Sequence, residues 1–570
     1  MEIKQTIKKY ALDNARKYGG KPNQGAVIGK LISEDHTIKE KLKELGKEIA
    51  TICNEVSKLT VEQQIAELEK IAPELLEEKK VVEERKLKPL PNAEKGKVVM
   101  RLAPSPSGIM HIGHGVVFAL SHLYCEEYQG KLILRLEDTN PEEIYEPAYH
   151  MTPEDLMWLT ENKIHEVVLQ SSRLETYYDH AEKMIAKEAA YVCTCDSEIF
   201  RDLSFNKKAC PCRNLPVKEQ HLRWDKMFVE YEPGQAVVRI KTNIEDPNPA
   251  MRDWPALRIN HHVHPKTGTK YKVWPLMNFA VAIDDHELGI THTIRGKDMM
   301  DAAKKQEWVY KFFGWQAPTH SYIGKIKFEG LEISKRKIKA AIENGKYDDW
   351  DDIRLATLAA MKRRGFQPGA FRAFAKDIGL GLNDKVVPVD DFFKSLESHN
   401  RDIIDPIANR YFFVNDPVKI TIGGAPQKKV ELQLHPDDKK RGKRIFDVTG
   451  KFLIAKQDYD KIKEGKLYRL MDCYNFVKHD KTFAYDSDEL EKYRSSGEGT
   501  MHWLPADVEL IDVEVLMQSK DFEQKILLKG KGAKHLLNLK EGAIIQFERF
   551  GFCKLDKKEK NKLVFWWGHK

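Results

Sequence analysis

His111 and His114 stand three residues apart in the string RLAPSPSGIMHIGHG, residues 101–115. A β-type run over 98–102 precedes the turn, and a helical run with Val116, Val117, Leu120 and Leu123 on one face follows it. A strand that hands over to a helix places its turn where open α/β sheets bind ligands. The free amides and the dipole of a helix start favour anions. Two imidazoles on one face of that helix start can reach triphosphate oxygens, and Gly113 lets a flat base approach the backbone. The chemistry these types suit is stabilisation of charge on an α-phosphate attacked by a carboxylate. A second string, Glu332-Ile333-Ser334-Lys335-Arg336, offers a lysine that meets phosphates only in the transition state. A basic run by itself is more often a solvated face. Cys193 and Cys195, then Cys210 and Cys212, make two close thiol pairs suited to tetrahedral zinc. Four sulfurs leave no open position, so such a site is structural; the bland alternative is four reduced thiols near a surface loop. His261, His262 and His264 are a rival metal set that reads better as a turn surface. Cys53, Cys125, Cys473 and Cys553 are isolated and read as packing residues.

The elements that must position these residues follow from the pattern of the chain. At 570 residues it exceeds one ordinary core and should divide into domains. Residues 1–95 read as a helical extension, with Ile3, Ile7, Tyr10 and Ala11, then Ile65, Leu68, Ala72 and Leu75, at helical spacing. Its end, 77–97, is charge-rich with two prolines, which reads as a linker or as an exposed helix followed by a linker. Residues 96–330 carry strand, turn, helix, strand, the start of a parallel α/β sheet, interrupted by an insertion at about 190–270 that holds the cysteines. Residues 331–400 read as helical, with Leu355, Leu358 and Met361 in register, and 401–570 as β-rich, in barrels.

Composition sets outer limits. Hydrophobic residues are 41% and charged residues 32%, a globular balance rather than a disordered one. Net charge is +7, which permits a polyanionic partner without demanding one. No apolar run approaches the roughly 18–20 residues of a membrane helix. The opening MEIKQTIKKY has no apolar core of a secretory signal, so the expected location is the cytoplasm, with no membrane partner.

Together the strings resemble the class I aminoacyl-tRNA synthetases. His111 to His114 is that family's HIGH signature intact. Residues 332–336 look like a degenerate KMSKS loop, in which Ser334 and Lys335 match while Glu332 and Arg336 depart. LRLEDTNP over 134–141 and DDHELGITHTIRGKD over 284–298 resemble strings of the glutamyl/glutaminyl subgroup. WDDIRLATL over 350–358 matches that subgroup's WDDPRL-x-TL, with Ile353 in the proline's place. DPIANRYFF over 405–413 and HWLPAD over 502–507 look like its β-barrel anticodon-binding region, as in archaeal and eukaryotic members. Ala103, Ser105 and Glu137 are glutamyl-like rather than glutaminyl-like. The segment 274–280, WPLMNFA, departs from a tyrosine-rich string, so its pocket wall must differ.

The resemblance implies a multidomain fold: a Rossmann-like α/β catalytic domain with an inserted acceptor-binding domain, helical N-terminal and connecting domains, and C-terminal β-barrels. It implies ligation of glutamate to tRNA with ATP and Mg2+, and a structural Zn2+. His111, His114 and Lys335 would be catalytic, and Pro104, Gly113 and Ser334 would join them at ATP. Arg101, Ala103, Ser105, Glu137, Asn278 and Arg295 would bind glutamate; a guanidinium grips a carboxylate in bidentate fashion. The partners implied are glutamate and tRNA(Glu). Charging of tRNA(Gln), a glutaminyl enzyme, and a protein partner for the N-terminal helices stay open. A non-catalytic tRNA-binding paralogue would be expected to lose the histidines or the lysine, and a tRNA-base-modifying relative the anticodon region; all are present.

Overall fold

The computed structural model of the chain describes residues 3–17, 20–34, 38–72, 75 and 86–570. These form two compact units, up to Arg85 and from Lys86 onward. The linker read over 77–97 lies outside the described residues as far as 85, and runs on as coil and turns to 98.

The first unit packs α1 (Ile3–Lys17), α2 (Gln24–Glu34), α3 (Ile38–Ser57) and α4 (Val61–Ile71). Ile7, Ala11, Val27, Ile49, Cys53 and Leu68 share its core. Helix α4 starts in a capping box between Thr60 and Gln63, which satisfies two of its free amides. The buried Gln64 amide donates to the Gly20 and Val56 carbonyls at 2.8 and 2.9 Å, pinning the α1–α2 turn.

The second unit opens with β1 (Val99–Leu102), α5 (Ile112–Glu127), β2 (Lys131–Leu136), α6 (Ala148–Leu159) and β3 (Glu166–Leu169). The three strands are parallel, in the order β1-β2-β3. Beyond α7 (Leu174–Ala186) lies an antiparallel sheet of β4 (Ala190–Cys193), β5 (Val237–Ile240), β6 (Pro255–Ile259) and β7 (Val273–Pro275). Between β4 and β5 stand α8 (Ser197–Phe205) and α9 (Val217–Val229). This insertion has its own core around Trp224, Val238, Trp254 and Trp274.

The chain re-enters the parallel sheet through α10 (Met277–Glu287), β8 (His292–Gly296), α11 (Met300–Phe313) and β9 (Thr319–Ile323). β8 and β9 pair in parallel. Thr291 N donates to Val99 O at 2.9 Å, and Val99 N to Thr291 Oγ1 at 2.9 Å, so the two sheet pieces abut at β1. The spatial order is therefore β3-β2-β1-β8-β9. Strand order reverses between β1 and β8, the switch point at which such sheets form a crevice.

Residues 326–404 are less purely helical than their periodicity suggests. β10 (Ile326–Glu329), α12 (Lys335–Glu343), α13 (Leu358–Arg364) and α14 (Pro368–Ile378) are followed by β11 (Lys385–Pro388), which pairs in parallel with β10, and by α15 (Val389–Ile404). The β-branched pair Val386-Val387 with Pro388 behind it favours extension over helix. Leu355 lies before α13, because Thr357 caps that helix through Ala360 N at 3.1 Å.

From 409 the chain forms two seven-stranded sheets. In one, the two end strands are Asn409–Tyr411 and Phe413–Asn415; in the other they are Gly497–Met501 and Trp503–Pro505. Each pair of ends is one chain segment broken at a single residue, Phe412 or His502. Each sheet thus curls until its edges meet, which makes a barrel. Separate cores fill them, around Phe452 and Trp503 in one and around Val513 and Phe565 in the other.

Candidate active site

The HIGH string forms the start of α5, and its histidines are structural before they are chemical. His111 is the N-cap: its Nδ1 accepts from Gly113 N at 3.1 Å, and His114 Nδ1 accepts from His111 N at 3.4 Å. The ring centroids lie 3.8 Å apart. Burial, aided by the Lys335 cation, lowers His111 to about 4; burial and both neighbours push His114 well below its ordinary value. Both rings are neutral at pH 7 with Nδ1 used as an acceptor. The proton then sits on Nε2, so each ring presents an N–H donor away from the backbone. A Cβ on Gly113 would come within 2.9 Å of the His111 ring, so no other residue fits under that cap.

Lys335 is the first residue of α12, and its side chain lies across Gly108, where a Cβ would meet it at 3.1 Å. Gly108 has φ of +148°, a backbone state that L side chains rarely adopt. Burial lowers the Lys335 ammonium to about 8, so it is only partly charged at mildly alkaline pH. Glu332 accepts from Ser334 N at 2.9 Å and pairs with Lys337 at 2.9 Å, leaving Lys335 to the histidines. The structure therefore brings His111, His114, Gly113 and Lys335 together. The segment over 350–358 holds them from behind: Ile112 N donates to Ala356 O and Leu358 N to Met110 O, both at 3.0 Å. Trp350 Nε1 donates to Tyr145 Oη at 2.9 Å, and Tyr145 N to Pro106 O at 2.9 Å, which fixes the turn before the signature.

The second half of the site lies at the switch point. Arg101 on β1 gives Nε to Asp285 Oδ1 at 2.7 Å. Arg135 on β2 gives Nη1 to the same oxygen at 2.6 Å and Nη2 to Glu137 Oε1 at 3.0 Å. Burial pushes the Asp285 acid up, but the two guanidinium groups outweigh it and hold the group at about 2. Arg295 at the end of β8 is 5% exposed, and Gln306 holds its Nη1 at 2.8 Å. Burial, then repulsion from Arg101, lowers Arg295 below the usual guanidinium range. Three guanidinium groups thus crowd one crevice around Asp285 and Glu137, and of these Arg295 has no carboxylate among the described residues bonded to it, an arrangement that an incoming carboxylate relieves. Pro104 is buried with its carbonyl on Glu137 N at 3.0 Å, Ala103 is half-buried, and Ser105 is exposed at the crest of the turn. Asn278 is half-buried with an unpartnered buried Oδ1.

In the segment 274–278, whose wall was expected to differ, Trp274 is fully buried in the insertion core, stacked on His264 at 4.9 Å. His264 also bonds the Asp138 carbonyl at 3.0 Å, while His261 pairs with Glu232, so the three histidines do not converge. Gln306, Tyr310 and His320, which sequence reasoning missed, surround the arginines. The Tyr310 hydroxyl is buried without a partner, and Thr293 Oγ1 holds His320 Nδ1 at 2.7 Å. No short string marks them; only the fold of α11 and β9 brings them to Arg295. Asp285 did sit in a quoted string, and its role as the anchor of two arginines appears only in space.

The four cysteines do converge. Their sulfurs all lie within 4.8 Å of one another, with Cys193 to Cys210 at 3.8 Å and Cys195 to Cys212 at 3.7 Å. A tetrahedron with metal–sulfur bonds of about 2.3 Å has edges of about 3.8 Å, whereas a disulfide would be about 2.05 Å. Arg223 Nη1 donates to Cys212 Sγ at 3.2 Å, a contact that offsets thiolate charge.

A family model described as tRNA synthetases class I (E and Q), catalytic domain, matches residues 97–406, and the anti-codon binding domain of the same group matches 408–493. The glutamate–tRNA ligase of Pyrococcus furiosus is 44% identical over 584 aligned residues, covering 100% of both chains. That of Methanobrevibacter smithii is 41% identical over 571, again covering 100% of both. A solved structure of a glutamate tRNA ligase from Elizabethkingia meningosepticum matches at 19% identity with a TM-score of 0.37, over 55% of this chain and 70% of that one. The family matches span the crevice and the first part of the β region, and with them the chain belongs to the class I tRNA synthetases of the glutamyl and glutaminyl group.

Proposed function

We propose that the chain is a glutamate–tRNA ligase that consumes ATP and forms AMP. The observation that carries the choice of glutamate is Arg295 at the switch point, held by the neutral Gln306 beside Arg101 and bonded to no carboxylate among the described residues, because Asp285 is taken by Arg101 and Arg135. A side-chain carboxylate fits there, and the neutral amide of glutamine would leave Arg295 uncompensated. Glu137 faces the same crevice as the acceptor for the substrate ammonium.

In the first step a glutamate α-carboxylate oxygen attacks the α-phosphorus of ATP, and the bond to the bridging oxygen breaks as pyrophosphate leaves with its electron pair. The Nε2–H groups of His111 and His114 and the Lys335 ammonium meet the charge that builds on the phosphate oxygens. Ser334 and Pro104 border that nucleotide, and Gly113 lets its base lie close. Mg2+ accompanies the triphosphate as part of the substrate. In the second step a hydroxyl of the terminal adenosine of tRNA(Glu) attacks the acyl carbon, loses its proton, and AMP leaves. Unpaired anticodon bases are read on the barrels. Cys193, Cys195, Cys210 and Cys212 would hold zinc, which cross-links the insertion and takes no part in the chemistry.

Aminoacylation by the full chain, run with labelled glutamate and glutamine against tRNA(Glu) and tRNA(Gln), tests the reading. Glutamate should be charged to tRNA(Glu). Preference for glutamine, or no charging of either tRNA, would overturn it.

A further inference from the structure

Away from the crevice, the insertion carries a cavity of about 410 Å³ with an unusual lining. One wall is α8, with Phe200, Arg201 and Phe205; another is Lys305 from α11. Phe205 is 70% exposed, the one phenylalanine among the described residues that is mostly exposed. It is held there rather than frayed: Arg252 Nη1 donates to the Ser204 and Phe205 carbonyls at 2.7 and 3.0 Å, tying down the end of α8. The Arg239 guanidinium lies 3.3 Å over the Phe200 ring. Two lining residues, Arg239 and Trp254, are at least nine-tenths buried, and Arg239 Nε and Trp254 Nε1 have no acceptor. Asp253, the acid of the lining, is already spent on Arg213, Tyr191 and Thr242. Among the described residues, Arg201 and Lys305 form no ion pair.

The cavity therefore sets the exposed Phe205 ring beside two cations, Arg201 and Lys305, with Asp301 near Lys305 as the neighbouring acid. A planar heteroaromatic group with a phosphate answers both: the ring stacks, and the anion meets the cations. We propose that this cavity binds a nucleotide, with the base on Phe205 and the phosphate between Arg201 and Lys305. Either an unpaired nucleotide of the RNA substrate or a free mononucleotide supplies that chemistry; the first source rests on the ligase reading above.

The test uses the full chain with Phe205→Ala, Arg201→Ala and Phe205→Tyr, all at or beside an exposed ring so that the fold is spared. Affinity is measured for a tRNA(Glu) transcript and, separately, for CMP, which carries no adenine for the ATP crevice. Loss of one stacked base weakens binding by about 5- to 100-fold. A loss of that size for the transcript in Phe205→Ala and Arg201→Ala, restored by Phe205→Tyr, supports the RNA source. The same loss confined to CMP supports the mononucleotide source. Wild-type affinity for both probes in both alanine variants overturns the proposal. Glutamate charging is assayed in parallel: a wild-type chain that charges no tRNA defeats the ligase reading, whereas a charging enzyme whose KM for tRNA and CMP affinity ignore Phe205 defeats this inference alone.

Discussion

At the scale of single residues, the site works by keeping cations and donors short of partners. Lys335 is the clearest case, since burial against Gly108 lowers it to about 8 with no acid to bring it back. The sign follows directly: the ammonium is the useful form, so activity falls as pH rises through that value. The pH profile of kcat/KM for ATP–pyrophosphate exchange should show a basic limb near 8. In Lys335→Arg the limb should vanish from the accessible range while the rate drops, because a guanidinium stays charged but does not fit the same space. A limb unchanged in Lys335→Arg would assign it to another group. The histidines set the acid side. His111 stays neutral when folded down to about 4, and His114 is likewise pushed well below its ordinary value, while an unfolded histidine takes its proton near 6.5. Unfolded chain then binds more protons between those values, so stability falls as pH drops from 6.5 toward 4.

At the scale of elements, the signature helix is held by what packs on its back. A Cβ on Gly115 would meet Leu358 Cδ2 at 2.8 Å and Phe371 at 3.3 Å, although a helical glycine ordinarily tolerates alanine. Gly115→Ala should therefore destabilise by about 1–3 kcal/mol as the core is overpacked. It should also raise the KM for ATP, because Leu358 N is bonded to Met110 O one residue before His111. Thermal melts and exchange kinetics check this; a higher melting temperature would contradict it. The helix start and its histidines were legible in the sequence because a strand, a turn and a helix follow each other directly, from Val99 to Glu127. The paired cysteines were legible for the same reason, their ligand spacing being local. What was not legible is whatever depends on long-range pairing. Leu355 kept helical spacing but sits in the loop that braces His111, and Trp274 sat where a pocket wall was expected but faces the insertion core. Gln306, Tyr310 and His320 reach Arg295 only because β8 and β9 pair across α11.

At the scale of the whole molecule, the division at residues 85 and 86 carries its own expectation. Each unit has a complete core, the first around Ile7, Val27 and Leu68 and the second around the parallel sheet and barrels. A chain of residues 86–570 should fold with an unchanged melting transition and retain glutamate activation. Its transition and its activation rate can be compared with those of the full chain. Loss of cooperative unfolding in 86–570 would show that the first 85 residues complete the second core. The β region is tied to the crevice by side chains at one end of α13: Arg363 grips Asp556 through Nε and Nη2, both at 2.7 Å, and lies 3.9 Å over the Trp566 ring.

The barrels break their end strands at Phe412 and His502, and those two rings lie 6.1 Å apart, so both closures fall at one place. A sheet closed on itself has no rim of unpaired amides and carbonyls for another chain to extend. The hairpin of 428–433 with 443–448 stands outside both closures, and four of its outward positions are charged, Lys429, Glu431, Lys443 and Asp447, the others being Gln433 and Ile445. The most strand-rich third of the molecule thereby keeps the rims of both barrels closed to pairing with another chain.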